Sequence, residues 1–413
     1  IFLNFIPDCT LILDMMVTYP ANRDEVLYVH PLTFSGAEEF LAARGKERFL
    51  HWLEREYITF EGQVPDILYF LTGGSEAEAV KKLNKSKFQL LAAFGEDNAF
   101  ASAAEVQAYA VQHGYNTLLV SLDDRDSPNI IRDMHRVKSG LKRLKGQTVG
   151  LLGDVSEWLV ASAVTQEALR ERLGIRMKKI SWHEAGDFRT QLPSMEFINK
   201  FDHTSSHPLT SASKVYTLLK NIIATHHLDA ITVECFSLVQ KHGVTACLAL
   251  SDLNDHDTPA GCEGDLVSIA GMMLLKEITG HIPWMANLAG IRGTSALFAH
   301  CTAPTDLLAD FSIQTHFETG KGTAIQGYFE EDKVTLVRLD NRLSRAFMAT
   351  GIITDRPTFP YACRTQILVE LPEQAVKSLK ENPLGNHHLI LPGNHAGLLL
   401  LALQALGVSL VDG

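Results

Sequence analysis

Near the C-terminus the chain reads GNHHLILPGNH, Gly385 to His395, with three histidines in eleven positions. Imidazole beside Leu389, Ile390 and Leu391 suits a metal ion or proton transfer; the simpler reading is a strand with wet ends. A short apolar run entering a Pro-Gly turn predicts a β-strand from His387 to Leu391. Successive strand side chains point to opposite faces. At most one of His387 and His388 can therefore ligate a given buried ion.

Two carboxylates stand where they could answer such a histidine. Glu234 ends the apolar run DAITVE, at the carboxyl end of an expected strand, where open α/β sheets bind their ligands. Asp265 lies thirty-one residues later, in the first turn expected for the helix EGDLVSIAGMMLLKEITG (Glu263–Gly280). There Glu263 and Asp265 also suit the helix dipole, and Gly280 is a natural C-cap. Asp252, Asp255, His256 and Asp257 precede this helix; their spacing does not match an EF-hand loop, and they read as loop polars. Two carboxylates and one imidazole suit a divalent ion that keeps open positions for substrate oxygens. Such oxygen-rich ligands favour Mn²⁺ or Mg²⁺ over a structural zinc.

These residues need elements to hold them. DILYFLT, FQLLAAF and TLLVSL read as buried strands, separated by the helical patterns after Gly73-Gly74 and through AAEVQAYAVQHG. That alternation predicts a parallel sheet with βαβ crossovers. Gly73-Gly74 could cradle a phosphate at the following helix but, without a fuller fingerprint, reads as an ordinary tight βα turn, and Ser75 and Glu78 have capping-box spacing. A second α/β unit begins at TVGLLGDVSEWLVAS, after a basic helix around RVKSGLKRLKG whose charges read as a solvated face. MKKISW and LDAITVECF continue it. Beyond residue 284 the runs SALFAHCTA, FSIQTHFETG, GTAIQGYFEEDKVTLVRLD, RAFMATGIITD and CRTQILVEL predict an antiparallel β domain, barrel-like in form. The expected organisation is two Rossmann-like α/β domains, 1–147 and 148–283, followed by a C-terminal β domain, 284–413.

Composition narrows the partners. The chain has 413 residues, 46% hydrophobic and 21% charged, with a net charge of −11. An acidic surface without a basic stripe argues against nucleic acid and anionic membrane as partners. The longest apolar runs, such as AGLLLLALQALGV, are too short to span a bilayer. The chain opens at Ile1 without a methionine, and no signal-peptide pattern is visible. Six scattered cysteines without a CxxC pair suit a reducing cytoplasm and argue against a cysteine metal site.

At the residues quoted above the sequence resembles the L-fucose isomerase and L-arabinose isomerase superfamily, over residues about 148 to 413. The helix EGDLVSIAGMMLLKEITG resembles the family's acid-x-Asp helix, which puts the metal-binding aspartate at Asp265. Glu234 matches the family's other metal-binding and acid/base carboxylate. NHHLILPG resembles its Asn-His strand, in which a glycine follows the ligand histidine by six residues, so that His387 is the ligand and Asn386 its polar neighbour. The chain is shorter than typical fucose isomerases, a compact and divergent version whose sugar is not carried over. The resemblance implies aldose–ketose isomerisation of an open-chain sugar through a cis-enediol, by a Mn²⁺- or Mg²⁺-dependent homo-oligomer, trimer or hexamer. Glu234 and Asp265 would serve as ligands and as the acid/base pair. His300, His316, Glu318 and Arg364 are further expected sugar contacts; His316 and Glu318 share a strand face by alternation, and Arg364 suits an anionic substituent. Rival readings are another metal-dependent sugar enzyme, an aldolase or epimerase, and a non-catalytic sugar-binding protein.

Overall fold

The computed structural model describes residues 25–411 apart from 37–38, 54–56 and 206. Residues 1–24, with Cys9 and the start of the expected first domain, lie outside the described residues. The first sheet is parallel: β1 (Leu27–Leu32), β2 (Ile58–Thr59), β3 (Ile67–Phe70), β4 (Gln89–Ala93) and β5 (Thr117–Ser121), in the order β2-β1-β3-β4-β5. Its central strands are buried on both faces, as the unbroken runs ILYF and QLLAA require. The expected capping box does not form. Ser75 precedes a seven-residue helix, but its hydroxyl donates to Thr72 O and meets Ser102 Oγ instead. Gly73-Gly74 is a turn, its first amide spent on Asp97 O.

The second sheet is also parallel: β6 (Thr148–Leu152), β7 (Arg176–Ile180), β8 (Ala230–Val233) and β9 (Ala260–Cys262), ordered β7-β6-β8-β9. Between β8 and β9 the register pairs Val233 with Cys262. The residues that follow these two strands, Glu234 and Glu263, therefore leave the sheet side by side.

The C-terminal strands are β10 (Trp284–Arg292), β11 (Ser295–His300), β12 (Leu308–Gln314), β13 (Ala324–Phe329), β14 (Lys333–Leu339), β15 (Arg345–Asp355), β16 (Thr365–Glu370), β17 (His387–Pro392) and β18 (Ser409–Leu410). Six of them close an antiparallel barrel, β14-β17-β10-β11-β16-β15, in which β15 pairs back to β14. Closure leaves these six without a free edge. β18 joins β15 from outside, and β12 and β13 form a separate hairpin. The fold class read from the sequence, two parallel α/β sheets and a barrel-like antiparallel unit, is the observed one.

The helix Ser127–Leu144 is more than a solvated basic face. It packs against the helices Leu266–Thr279 and Ala396–Ala405. Lys138 reaches Asp66 and Arg143 reaches Glu277 at 3.0 and 2.7 Å, tying this helix to the first sheet and to the helix Leu266–Thr279. Gly140 makes the contact possible, because a Cβ there would stand 2.5 Å from the carbonyl oxygen of Glu277. Gly→Ala inside a helix ordinarily stabilises by about 1 kcal/mol. Gly140→Ala is expected to reverse that sign and destabilise by about 1–3 kcal/mol through overpacking, read as a lowered urea midpoint.

Candidate metal centre

The strand prediction for His387–Leu391 corresponds to β17, and its two histidines diverge. His387 shares with Leu389 the face that meets the helix Leu266–Thr279, where Leu389 packs over Gly271. His388 turns the other way, between the rings of Phe298 and Phe347, each 5.5 Å from its own. Burial drives the His388 imidazole down to about 3, so it sits neutral, its Nδ1 bonded to Asn386 O.

His387 is fully buried, and its Nδ1 lies 2.9 Å from Asp265 Oδ2. A carboxylate only accepts, so Nδ1 is the donor and Nε2 points away from Asp265. Nε2 has no hydrogen-bond partner and faces Glu263 Oε1 at 3.7 Å. His300, at the end of β11, directs its own Nε2 to the same oxygen at 4.0 Å, while its Nδ1 meets Thr302 Oγ1 at 2.8 Å. The three donor atoms of Glu263, His300 and His387 lie within 4.8 Å of one another. Two imidazole nitrogens and a carboxylate oxygen, one nitrogen left unsatisfied in a buried place, fit a divalent cation.

Local backbone puts Glu263 there. It occupies the left-handed region (φ 61°), followed by Gly264 (φ 68°). Such a conformation costs a non-glycine residue about 1–3 kcal/mol and survives only where neighbours impose it. Ser156 N donates to Glu263 O at 3.0 Å, and a Cβ on Gly264 would come within 2.4 Å of Asp154 O. Trp158 Nε1 donates to Glu263 Oε2 at 2.6 Å. The helix expected from Glu263 begins later, at Leu266, with Asp265 as its N-cap accepting from Ser268 N at 2.9 Å; Gly280 closes it in the left-handed conformation.

Behind the donors stands a closed network. Asp265 accepts from Ser268 Oγ (2.8 Å) and pairs with Arg338 (3.3 Å), itself 1% exposed and bonded to Ser162 and Ser268. Burial alone would raise the Asp265 carboxyl; Arg338 and His387 outweigh it and hold it well below the usual range. Burial also pulls His387 down, yet its bonds to Asp265 and the charge of Glu263 lift it to about 9. His300 has no such support, and burial takes it to about 3.

Glu234 sits one strand over, half-buried. Trp182 Nε1 donates to its Oε2 at 3.0 Å, and Ser237 donates from both its amide and its hydroxyl. Gly153 (φ 85°) leaves room for it, since a Cβ would stand 2.8 Å from the Glu234 Cβ. Its carboxylate is engaged by Trp182 and Ser237. Asn386 is exposed and spends its side chain on Leu288 N and Asn287. His316 and Glu318 lie in a turn past β12, not on a strand, so the alternation argument does not apply to them. His316 is buried against Phe236 with ring centres 5.8 Å apart, whereas Glu318 is exposed. Arg364 donates to Thr315 O and Oγ1 at 2.7 and 3.2 Å.

The sequence reading gave Glu263 a helix-dipole role and did not select it as a ligand. The available signal was the repeated pattern of a short apolar strand followed by an acid, ITV-Glu234 and AGC-Glu263. Asp252 and Asp255 are not loop polars either: both lie in the helix Cys247–Asp255, buried, and clamp Lys200 at 2.7 Å each. The scattered cysteines converge beside the site. Cys235 and Cys262, adjoining Glu234 and Glu263, bring their sulfurs to 3.0 Å.

No protein-family model matches the chain. Two curated proteins do: the sulfoquinovose isomerases of Priestia aryabhattai and Priestia megaterium, each 24% identical over 247 residues. The match covers 56% of this chain and 55% of each relative, so it spans about half the length of the curated relatives.

Asp265→Asn keeps the shape but removes the charge that orients His387 and balances Arg338. Losing such an outer partner typically weakens metal binding about 10–100-fold, and an uncompensated buried charge costs about 3–5 kcal/mol. Calorimetric Mn²⁺ titration and thermal melting are expected to register both losses together. The pH response follows from His387. Its extra stabilising contribution is complete below about 6.5 and is lost as pH rises through about 9. Metal must displace that proton while His300 yields none, so Mn²⁺ uptake at pH 7 is expected to release roughly one proton. The Mn²⁺ affinity should then climb about tenfold per pH unit and level off above pH 9.

Proposed function

We propose that the protein is a divalent-metal-dependent aldose–ketose isomerase that works on an open-chain sugar through a cis-enediol. The observation that carries this reading is the convergence of the Glu263, His300 and His387 donors beside a second carboxylate, Glu234, in a chain similar to sulfoquinovose isomerases. Glu263, His300 and His387 would hold the cation. Such an ion, when bound, acts as a Lewis acid that polarises the sugar carbonyl and acidifies the neighbouring C–H. Two imidazoles and one carboxylate are compatible with Mn²⁺ or another first-row divalent ion and suit Mg²⁺ less well than the oxygen-rich set expected from the sequence.

Glu234 is the proposed acid/base. It stands at the end of β8, next to Glu263 in register and held by Trp182 and Ser237. From there its carboxylate would take the proton from C2 of the aldose and return it to C1, while the O2 hydroxyl proton passes to O1 in the enediol, leaving the ketose. Asp265, expected from the resemblance as ligand and catalytic partner, has both oxygens engaged by Ser268, Arg338 and His387. Its role in this reading is to fix the Nδ1–H tautomer of His387. The half-exposed indole of Trp158 holds Glu263 and offers a flat apolar surface to the C–H face of a sugar. Three domains divided near residues 147 and 283, a cytoplasmic setting and a homo-oligomer belong to the same proposal. Among the described residues no helix is long and apolar enough to cross a membrane.

The test is metal content and product. Protein purified with Mn²⁺ is expected to retain the ion, to lose most of it in Glu263→Gln, and to form ketose from an aldose panel only with metal present. Glu234→Gln should keep metal while kcat falls at least about 100-fold, the scale of a lost general base. A protein that binds no metal and forms no ketose would sink the isomerase reading in favour of a sugar-binding protein, and two carbonyl fragments would identify an aldolase.

A further inference from the structure

The donors of the metal centre address one end of a sugar. The other end must meet something, and the wall leading away from Glu263 can be followed residue by residue. Trp158, bonded to Glu263, meets Phe236 with ring centres 4.7 Å apart. Phe236 meets His316 at 5.8 Å. His316 lies next in the chain to Thr315, which receives the guanidinium of Arg364. The charge of Arg364 and that of Glu263 both act on the His316 imidazole, which burial holds below its ordinary value. A chain of side-chain contacts therefore runs from the metal donors to a guanidinium.

Several guanidiniums of the chain are already neutralised by an acid. Arg48, Arg143, Arg189, Arg338, Arg345 and Arg356 each face a carboxylate. Arg364 is half-buried and among the described residues has no carboxylate within ion-pair distance; it donates to two neutral oxygens of one threonine. A guanidinium has five N–H donors in a planar fork, which matches the oxygens of a sulfonate, phosphate or carboxylate.

Resting on the isomerase reading, we propose that Arg364 anchors an anion subsite for an oxyanionic substituent, a sulfonate foremost, at the end of the sugar remote from its carbonyl. The subsite selects charged sugars over neutral ones because a neutral substituent leaves a partly desolvated guanidinium without a counter-charge. The sulfonated sugar in the name of the two relatives is of this class.

The experiment separates this from catalysis by using alditols, which have no carbonyl to isomerise. Wild type, Arg364→Met and Arg364→Lys are titrated calorimetrically, with Mn²⁺ present, against the alditol of sulfoquinovose and against glucitol, its uncharged counterpart. Wild type is expected to bind the sulfonated alditol more tightly than glucitol. In Arg364→Met that affinity should fall roughly ten- to hundredfold, the scale of a lost charge-assisted pair, while glucitol binding moves less than about threefold. Arg364→Lys should recover part of the difference, since a merely structural loss would weaken both ligands alike. Equal affinity of wild type for the two alditols, or an unchanged ratio in Arg364→Met, overturns the subsite. Ketose formation measured separately on sulfoquinovose decides the isomerase reading, so a protein that discriminates between the alditols but forms no ketose would retain the subsite and lose the enzyme.

Discussion

The contact on which the site depends is the bond between His387 Nδ1 and Asp265 Oδ2, 2.9 Å long and closed to solvent. It joins the first residue of a barrel strand to the N-cap of a helix from the second α/β unit. Arg338, from the neighbouring barrel strand, supplies with His387 the positive charge that keeps Asp265 ionised at that depth. A buried ion pair is weak evidence for stability, since desolvation takes back most of the attraction. Its stronger consequence is geometric. With Asp265 ionised, His387 has one orientation and one tautomer, and its Nε2 is aimed at Glu263.

From that constraint the rest of the centre follows. Closure of the barrel brings the end of β11 and the start of β17 to the same rim, so His300 and His387 converge although they lie far apart in the chain. The parallel register of β8 and β9 then delivers Glu234 and Glu263 side by side. The left-handed turn at Glu263-Gly264 directs the second carboxylate to the imidazoles, held by the loop of Ser156 and Trp158. The second parallel sheet and the barrel, packed through one continuous core, supply all four side chains.

Much of the architecture was legible because its signals are local. ILYF and QLLAA are too apolar for anything but doubly covered strands, and HHLILPG combines a short apolar run with a turn signal. The opposition of His387 and His388 needed only the two-residue period of a strand. Other features depended on partners distant in the chain. Asp252 and Asp255 look like loop polars until Lys200 is placed beside them. The basic helix Ser127–Leu144 looks solvated until Asp66 and Glu277 meet it. Ser75 has capping-box spacing, yet Ser102 and Thr72 offer its hydroxyl other partners.

The sequence by itself determined the order of the units, the strand that carries His387, and the presence of acids at strand ends, because periodicity and turn chemistry act over a few residues. Only the tertiary structure decided which acid faces the unbonded Nε2 of His387 and which holds its Nδ1. Asp265 and Glu263 are two residues apart, and composition treats them alike. One falls on the N-cap, where Ser268 and Arg338 claim its oxygens, and the other on a left-handed turn that turns its carboxylate to His300 and His387. Backbone conformation and the burial of Arg338 set that difference, and both arise from packing between elements far apart in the chain.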